Sequence, residues 1–293
     1  MDNKIIIFFH IYYTDLIDEY LWYLNNVKLS NYNFDLYVSI CNEVLTDIVK
    51  DKLLKFKSDV IITICENRGA DIGGFLSSIR KNTINLSNYI AWIHIHTKQS
   101  SQYGKLSSYL WRGQLLNDTL ISSDLVNYCS NSIKEGSGII GSNSCIYSIE
   151  NSLNTYKSEK NYYNSLCNRL NIKNNNTYFV AGTIFWANIK ILQLIINSDI
   201  TPVDFETKFE HYGLLQHGFE RIFGNISTEL NLPIVGINLD IDSTNYYNKI
   251  KIYDYIYSNN IVFKINNKII IPNDDKITQI NKRNKLLIIN NKY

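Results

Sequence analysis

"SDVIITICENRGADIGGFL", residues 58–76, passes from an apolar segment through a polar turn into a segment with helical spacing. Residues 58–65 are short, β-branched and almost continuously hydrophobic, the pattern of a strand covered on both faces. The following ENRGADIGGFL spends three of the chain's 13 glycines beside Glu66, Asn67, Arg68 and Asp71. With a helix beginning near Ile72, Asp71 stands where an N-cap carboxylate accepts a backbone N–H. Gly69 permits a positive φ or the close approach of a ligand to the backbone. Free N–H groups at a helix start, next to Arg68, suit a phosphate-bearing anion. The spacing is not G-x-G-x-x-G, so no dinucleotide fingerprint is present.

The same strand-then-helix order extends outward in both directions. Residues 4–9 (KIIIFF), 34–41 (FDLYVSIC) and 89–97 (YIAWIHIHT) read as further buried strands. Between them, residues 15–27 place Leu16, Tyr20, Leu24 and Val27 on one helical face, and residues 42–56 place Val44, Ile48 and Leu53 close to one stripe. Alternating strands and helices imply an α/β fold with a Rossmann-type, mainly parallel sheet flanked by helices. Ligands of such sheets bind outside the carboxyl ends of the strands. That rule gathers His10 and Tyr12, Ser39, the 66–71 turn and His94 to Lys98 around one mouth.

Beyond residue 105 the pattern is less regular. Helical stretches are expected near 108–130, 152–171, 187–197 and 207–223, with an extended segment at 178–186. Residues 1–243 read as one domain, its halves meeting near 105, and the Tyr/Asn/Lys/Ile-rich residues 244–293 as an extension of short strands and turns.

Composition bounds the function. A 45% hydrophobic, 19% charged chain of 293 residues suits a folded soluble protein. Its formal charge of +2 is too small for the broad basic field that non-specific nucleic-acid binding needs. Five widely spaced cysteines without a C-x-x-C pair signal neither a disulfide framework nor a zinc site. The N-terminal apolar run is too short for a signal or membrane segment, so a cytoplasmic location is expected.

Several further stretches carry chemistry-bearing side chains. In WIHIHTKQS the alternation sends His94 and His96 to one face, with Thr97, Lys98 and Ser100 continuing into a loop. Either His alone more often means a hydrogen-bonded core residue. The pair followed by Thr-Lys-x-Ser also fits a phosphate seat, with Lys98 as a point charge. The two His offer metal ligands without an evident third. Trp111 and Arg112 open a helix as an aromatic anchor with a charge. Gly182 and Thr183, between large apolar residues that include Phe185 and Trp186, read as a strand with a bulge. In 207–223, Leu215, Phe219, Ile222 and Phe223 share a stripe, while His217, Glu220 and Arg221 lie opposite. That polar side is either solvated or a general-base constellation facing a cleft.

Taken together, these blocks resemble the rhamnan synthesis protein F family of polysaccharide glycosyltransferases. The resemblance rests on His10 with Tyr12 and Tyr13, Asn67-Arg68-Gly69 with Asp71, His96-Thr97-Lys98 with Ser100, Trp111-Arg112, Gly182-Thr183 with Phe185-Trp186, and His217 with Glu220-Arg221. It spans residues 5 to about 225. It implies a GT-A-like fold that moves a sugar, often rhamnose, from a dTDP-, UDP- or GDP-sugar onto a glycan acceptor, which is lipid-linked in some pathways and would then bring the protein to a membrane surface. His10, Tyr12, Asn67, Arg68, Gly69, Asp71, His94, His96, Thr97, Lys98 and Ser100 would bind the donor. Trp111, Arg112, Gly182, Thr183, Phe185, Trp186 and Arg221 would face the acceptor, and Glu220, His217 or Asp71 would act as base. The broader GT-A pattern holds Mn²⁺ or Mg²⁺ on an Asp-x-Asp after the fourth strand. Here that place reads His94-Ile95-His96-Thr97-Lys98, while Asp240-Ile241-Asp242 comes much later. Metal-independent neutralisation by Arg68 and Lys98 is therefore expected, with a divalent metal left open. Gly73-Gly74 before Phe75 also depart from the family's Pro before that Phe. A non-catalytic glycan- or nucleotide-sugar-binding module is the alternative.

Overall fold

The computed structural model describes residues 4–99, 105–175, 177–207, 210, 212–239, 250–258, 260–265 and 268–270. Ser100 and the Asp240–Asp242 pair lie outside the described residues. The first hundred residues form the expected alternation. Strands β1 (Lys4–Ile11), β2 (Asn33–Cys41), β3 (Ile61–Cys65) and β4 (Ala91–His96) alternate with helices α1 (Ile17–Lys28), α2 (Asp47–Phe56) and α3 (Ala70–Lys81). The strands pair in parallel in the order β3-β2-β1-β4.

Three later strands complete the central sheet. Strand β8 (Phe185–Asn188) runs antiparallel between β4 and β5 (Ile139–Ser142), and β9 (Ile234–Leu239) lies parallel to β5. The seven-stranded core is thus mostly parallel, and β10 (Ile250–Ser258), β11 (Asn260–Ile265) and β12 (Lys268–Ile270) continue it antiparallel from the β9 edge. A separate ribbon pairs β6 (Ile146–Ser148) with β7 (Tyr178–Val180). The remaining helices are α4 (Lys105–Leu120), α5 (Ser123–Lys134), α6 (Ile149–Thr155), α7 (Lys157–Arg169), α8 (Ile189–Ile196) and α9 (Leu215–Glu229). Helices α1, α4 and α5 pack as one group, and α9 packs against α3, α7 and α8. Among the described residues no helix is long and apolar enough to cross a membrane.

Several boundaries differ from the sequence expectation, each for a local reason. The 42–56 helix starts only at Asp47, because the Thr46 side chain accepts the Val49 N–H and caps it. Its buried residues are Val49 and Leu53, while Ile48 is 71% exposed, so the Val44–Ile48–Leu53 stripe is not the packed face. The 108–130 stretch is two helices, parted where Ser122 accepts the Leu125 N–H. The 178–186 segment is two strands in different sheets, divided at Gly182 (φ 90°) and Thr183 (φ 50°). The last helix begins at Leu215 rather than 207.

An aromatic cluster joins α3 and α9 to the sheet. Phe75 stacks on Trp92 at 5.3 Å between ring centroids and meets Phe8 edge-on at 5.1 Å, and Phe185 meets Phe223 at 5.0 Å. Such pairs add ~0.5–1.5 kcal/mol each beyond their burial. Phe185 points to this face and Trp186, its strand neighbour, to the other, where Nε1 donates to the Thr119 carbonyl at 3.0 Å. Helix α3 reaches the sheet closely because Gly74 faces the His10 ring. A Cβ there would sit 2.1 Å from His10 Nδ1, whereas one on Gly113 of α4 would meet nothing within 4 Å. Gly74→Ala is therefore expected to destabilise the fold by ~1–3 kcal/mol through overpacking. Gly113→Ala should be neutral or stabilising by up to ~1 kcal/mol. Urea unfolding midpoints of the two variants check this, and equal midpoints would contradict it.

Candidate active site

The β7–β8 turn, residues 181–184, is where the polar groups of three distant segments meet. His94 and His96 project from one face of β4 towards it, as the period-two pattern requires. His94 Nδ1 lies 2.5 Å from the Thr183 carbonyl and His96 Nε2 lies 2.9 Å from the Gly182 carbonyl. A carbonyl only accepts, so both nitrogens carry the proton and both tautomers are set. The Thr183 hydroxyl lies 3.2 Å from His96 Nε2 and donates to Asp71 Oδ2 at 2.6 Å. From α9, Glu220 Oε1 accepts the Gly182 N–H at 2.6 Å. Lys98, just past β4, lays its ammonium over the Trp111 ring, 4.2 Å from the centroid.

Asp71 is not an N-cap. Gly69, in the left-handed region at φ 68°, is the cap residue, and Asp71 sits in the first turn of α3 with its carboxylate turned to Thr183 and His96. Burial works against its ionisation. The neighbouring imidazoles, the Thr183 hydroxyl and the Lys98 ammonium outweigh that and hold the carboxyl below the usual range. Burial also lowers His94, pushes His96 down to about 4, and lowers Lys98, whose charge Asp71 and Glu220 favour. At neutral pH the cluster therefore holds neutral imidazoles and an Asp71 carboxylate near one ammonium.

Other expected site residues take structural positions. Arg68 does not face Lys98: its Nη1 donates to the carbonyls of Val203 (3.2 Å) and Phe205 (2.8 Å), and its Nε to Glu66. Gly69 abuts Phe205, whose ring a Cβ would meet at 2.7 Å, so the close approach it permits is to protein. Arg112 is buried against Glu19 at 2.9 Å and the Lys98 carbonyl. Trp186 and Phe185 are core residues, at 0% and 1% exposure, which removes them from any open groove. Thr97 Oγ1 accepts the backbone N–H groups of Tyr12 and Tyr13, both at 2.9 Å, and His10 Nδ1 pairs with Ser39 Oγ at 3.0 Å. These bonds shape the mouth at the ends of β1, β2 and β4. Asn67 lines an open cavity at the end of β3.

The polar side of α9 is not a solvated face. Arg221 is buried and pairs with Glu159 Oε2 at 2.7 Å, and Glu159 itself is fully buried on α7. His217 Nδ1 accepts the Leu214 N–H at 3.2 Å at the start of α9, turned towards Glu159 rather than the β7–β8 turn.

A family model described as rhamnan synthesis protein F matches residues 1–231. The chain belongs to that family. No curated protein matches it. The rhamnan synthesis protein F match covers every element from β1 to α9 and stops before β9, so the whole 182–183 cluster lies inside it. The family's role is in polysaccharide assembly. Within this rhamnan synthesis framework, Glu159 and Glu19 are the partners the sequence did not disclose. Glu159 stands in KSEKNYYN, whose polarity resembles a solvated helix, and no spacing marks it as the counter-ion of Arg221.

Among the described residues no group of three or more His, Cys, Asp or Glu is placed to hold a metal ion.

Two outcomes follow from the buried charges. His96 titrates near 4 when folded and near ~6.5 when unfolded, so unfolding takes up a proton between those values. Its contribution, up to roughly 3 kcal/mol, is complete above pH ~6.5 and lost as pH falls towards 4. His96→Gln should flatten the fall in unfolding midpoint across that window, and an unaltered slope would refute the assignment. Arg221→Met leaves the Glu159 carboxylate buried without its partner and should cost ~3–5 kcal/mol in chemical denaturation.

Proposed function

We propose that the chain is a glycosyltransferase with a GT-A-like catalytic domain, moving a sugar from a dTDP-, UDP- or GDP-sugar onto a glycan acceptor, with rhamnose among the candidate sugars. One observation carries this reading: Asp71, His96, Thr183, Glu220 and Lys98 gather around a single turn beside the carboxyl ends of β1 and β4. Open α/β sheets bind their ligands at that end. Membership of a polysaccharide-assembly family supports it from an independent direction.

Displacement with inversion needs a base for the acceptor hydroxyl and positive charge for the leaving diphosphate. Glu220 is the base in this scheme: it takes the acceptor's proton as the new C–O bond forms and the bond from the sugar to the diphosphate breaks. Asp71 is the weaker candidate, because a carboxyl held below its usual range accepts a proton poorly. Its work is to orient Thr183 and, through it, the turn. Lys98 neutralises the departing diphosphate, with its ammonium already desolvated against Trp111. Arg68 serves by clamping the 66–69 turn to the 203–205 segment, which forms a wall of the donor site. His10, Tyr12, Asn67 and Thr97 line the donor side of the mouth, and Trp111 offers its ring to the acceptor.

The test is release of nucleoside diphosphate from a panel of dTDP-, UDP- and GDP-sugars, with and without Mn²⁺. At least one donor should turn over. Glu220→Gln should lower kcat by roughly 10²–10⁴-fold, the usual worth of a positioned base. Lys98→Met should lower it by roughly 10²–10³-fold, as loss of one charge-stabilising donor does. Donor binding without release, indifferent to both substitutions, would instead identify a binding module. Silence across the panel would remove the transferase assignment.

A further inference from the structure

Cys41 and Cys65 are the last residues of β2 and β3 and are direct register partners in the parallel ladder. Their side chains leave the sheet on the same face, with the sulfurs 4.0 Å apart. Neighbouring strands hold such partners ~4.8 Å apart, inside the ~4.4–6.8 Å Cα range that a disulfide spans. The sulfurs need only close to ~2.05 Å. The two thiols differ in access. Cys41 is completely buried, whereas Cys65 shares the lining of an open cavity of about 390 Å³ with Asn42, Ile64, Glu66, Asn67 and Lys81. The Cys41 thiol, hydrogen-bonded to Cys65, holds the Cys65 thiol well below its ordinary range against the effect of burial, with His10 and Lys81 adding to this. All five cysteines are buried, Cys65 at 4% exposure, and burial pushes the thiols of Cys129, Cys145 and Cys167 up. Reactivity follows thiolate character and access, and Cys65 combines a lowered thiol with a place in the lining of an open cavity.

We propose that Cys65 and Cys41 form a redox-active dithiol that reacts with small-molecule disulfides, Cys65 as the entry thiol and Cys41 as the resolving one. The Cys65 thiolate attacks one sulfur of a disulfide RSSR, forming Cys65–S–S–R and releasing RS⁻. Cys41 then attacks Cys65 Sγ, its proton passing to the departing sulfur, which leaves as RSH. Two protein thiols are oxidised and one small disulfide is reduced to two thiols. The product ties the turn after β2, at Asn42, to the turn after β3, which carries Asn67 and Arg68. Oxidation would thereby brace one side of the strand-end mouth. This inference stands on the thiol geometry and does not depend on the transferase reading.

The test uses the folded full-length chain and oxidised glutathione, read by intact mass and by peptide mapping without reduction. The wild type should lose two hydrogens, keep no adduct and yield one Cys41–Cys65 cross-linked peptide pair, reversed by dithiothreitol. Cys41→Ala should hold one glutathionyl group on Cys65, and Cys65→Ala should stay unmodified at Cys41. Circular dichroism of each variant establishes that it is folded, and the wild-type map needs no variant at all. A stable glutathionyl adduct on wild-type Cys65 would overturn the resolving role of Cys41. First reaction at Cys129, Cys145 or Cys167, or an unreactive Cys65 in folded protein whose denatured chain reacts, would overturn the proposal entirely.

Discussion

The backbone of Gly182 and Thr183 bears the constraint on which the site depends. Thr183 is β-branched and sits at φ 50°, a conformation that costs ~1–3 kcal/mol for such a residue. Four hydrogen bonds hold it there: His94 and His96 to the two carbonyls, the Gly182 N–H to Glu220, and the Thr183 hydroxyl to Asp71. The two that end on carboxylates are of the stronger class, ~1.5–3 kcal/mol each, so the strain is outweighed. The same bonds bring α3, β4 and α9 to one point, and any of them lost would free the turn and scatter the cluster.

Rigidity behind the turn comes from apolar packing. His94 lies among Phe75, Phe185 and Phe223, within 5.4–6.3 Å of each ring centroid, and so belongs to the aromatic core as well as to the polar cluster. Its companion His96, two residues on, completes the polar side. A site built on a strand that is itself wedged into the core holds its geometry without help from a ligand. An ion pair between Arg112 of α4 and Glu19 of α1 then docks the second half on the first, and a buried one between Arg221 of α9 and Glu159 of α7 ties two helices of the second half together. Neither pair is strong evidence of added stability, since desolvation offsets much of the attraction, yet each penalises any register in which one partner is left alone.

The first four strands and the pairing of His94 with His96 were legible because they rest on local periodicity, which a sequence displays directly. Elements beyond residue 105 were less so. Strand β5 has only four residues and β8 four, too few for a period to emerge, and β8 is antiparallel inside an otherwise parallel run. Helix α9 is ambiguous in sequence for a different reason. Its polar residues pattern as a water-facing side, but Arg221 has a buried counter-ion and Glu220 a backbone donor, and both come from segments far away in the chain. Arg68 misled in the same way: a cation in a glycine turn suits a phosphate, and its partners here are carbonyls more than a hundred residues later.

By itself the sequence determined the alternation of buried strands and amphipathic helices, hence the parallel half-sheet, and the set of residue types brought to its carboxyl edge. Those properties follow from spacing along the chain. Which of the charged and polar groups meet was decided only by the tertiary structure. Hydrogen bonds and ion pairs depend on distance in space, and their partners, Glu220 with Gly182, Asp71 with Thr183, Arg221 with Glu159, are separated by stretches of chain whose path no local pattern encodes.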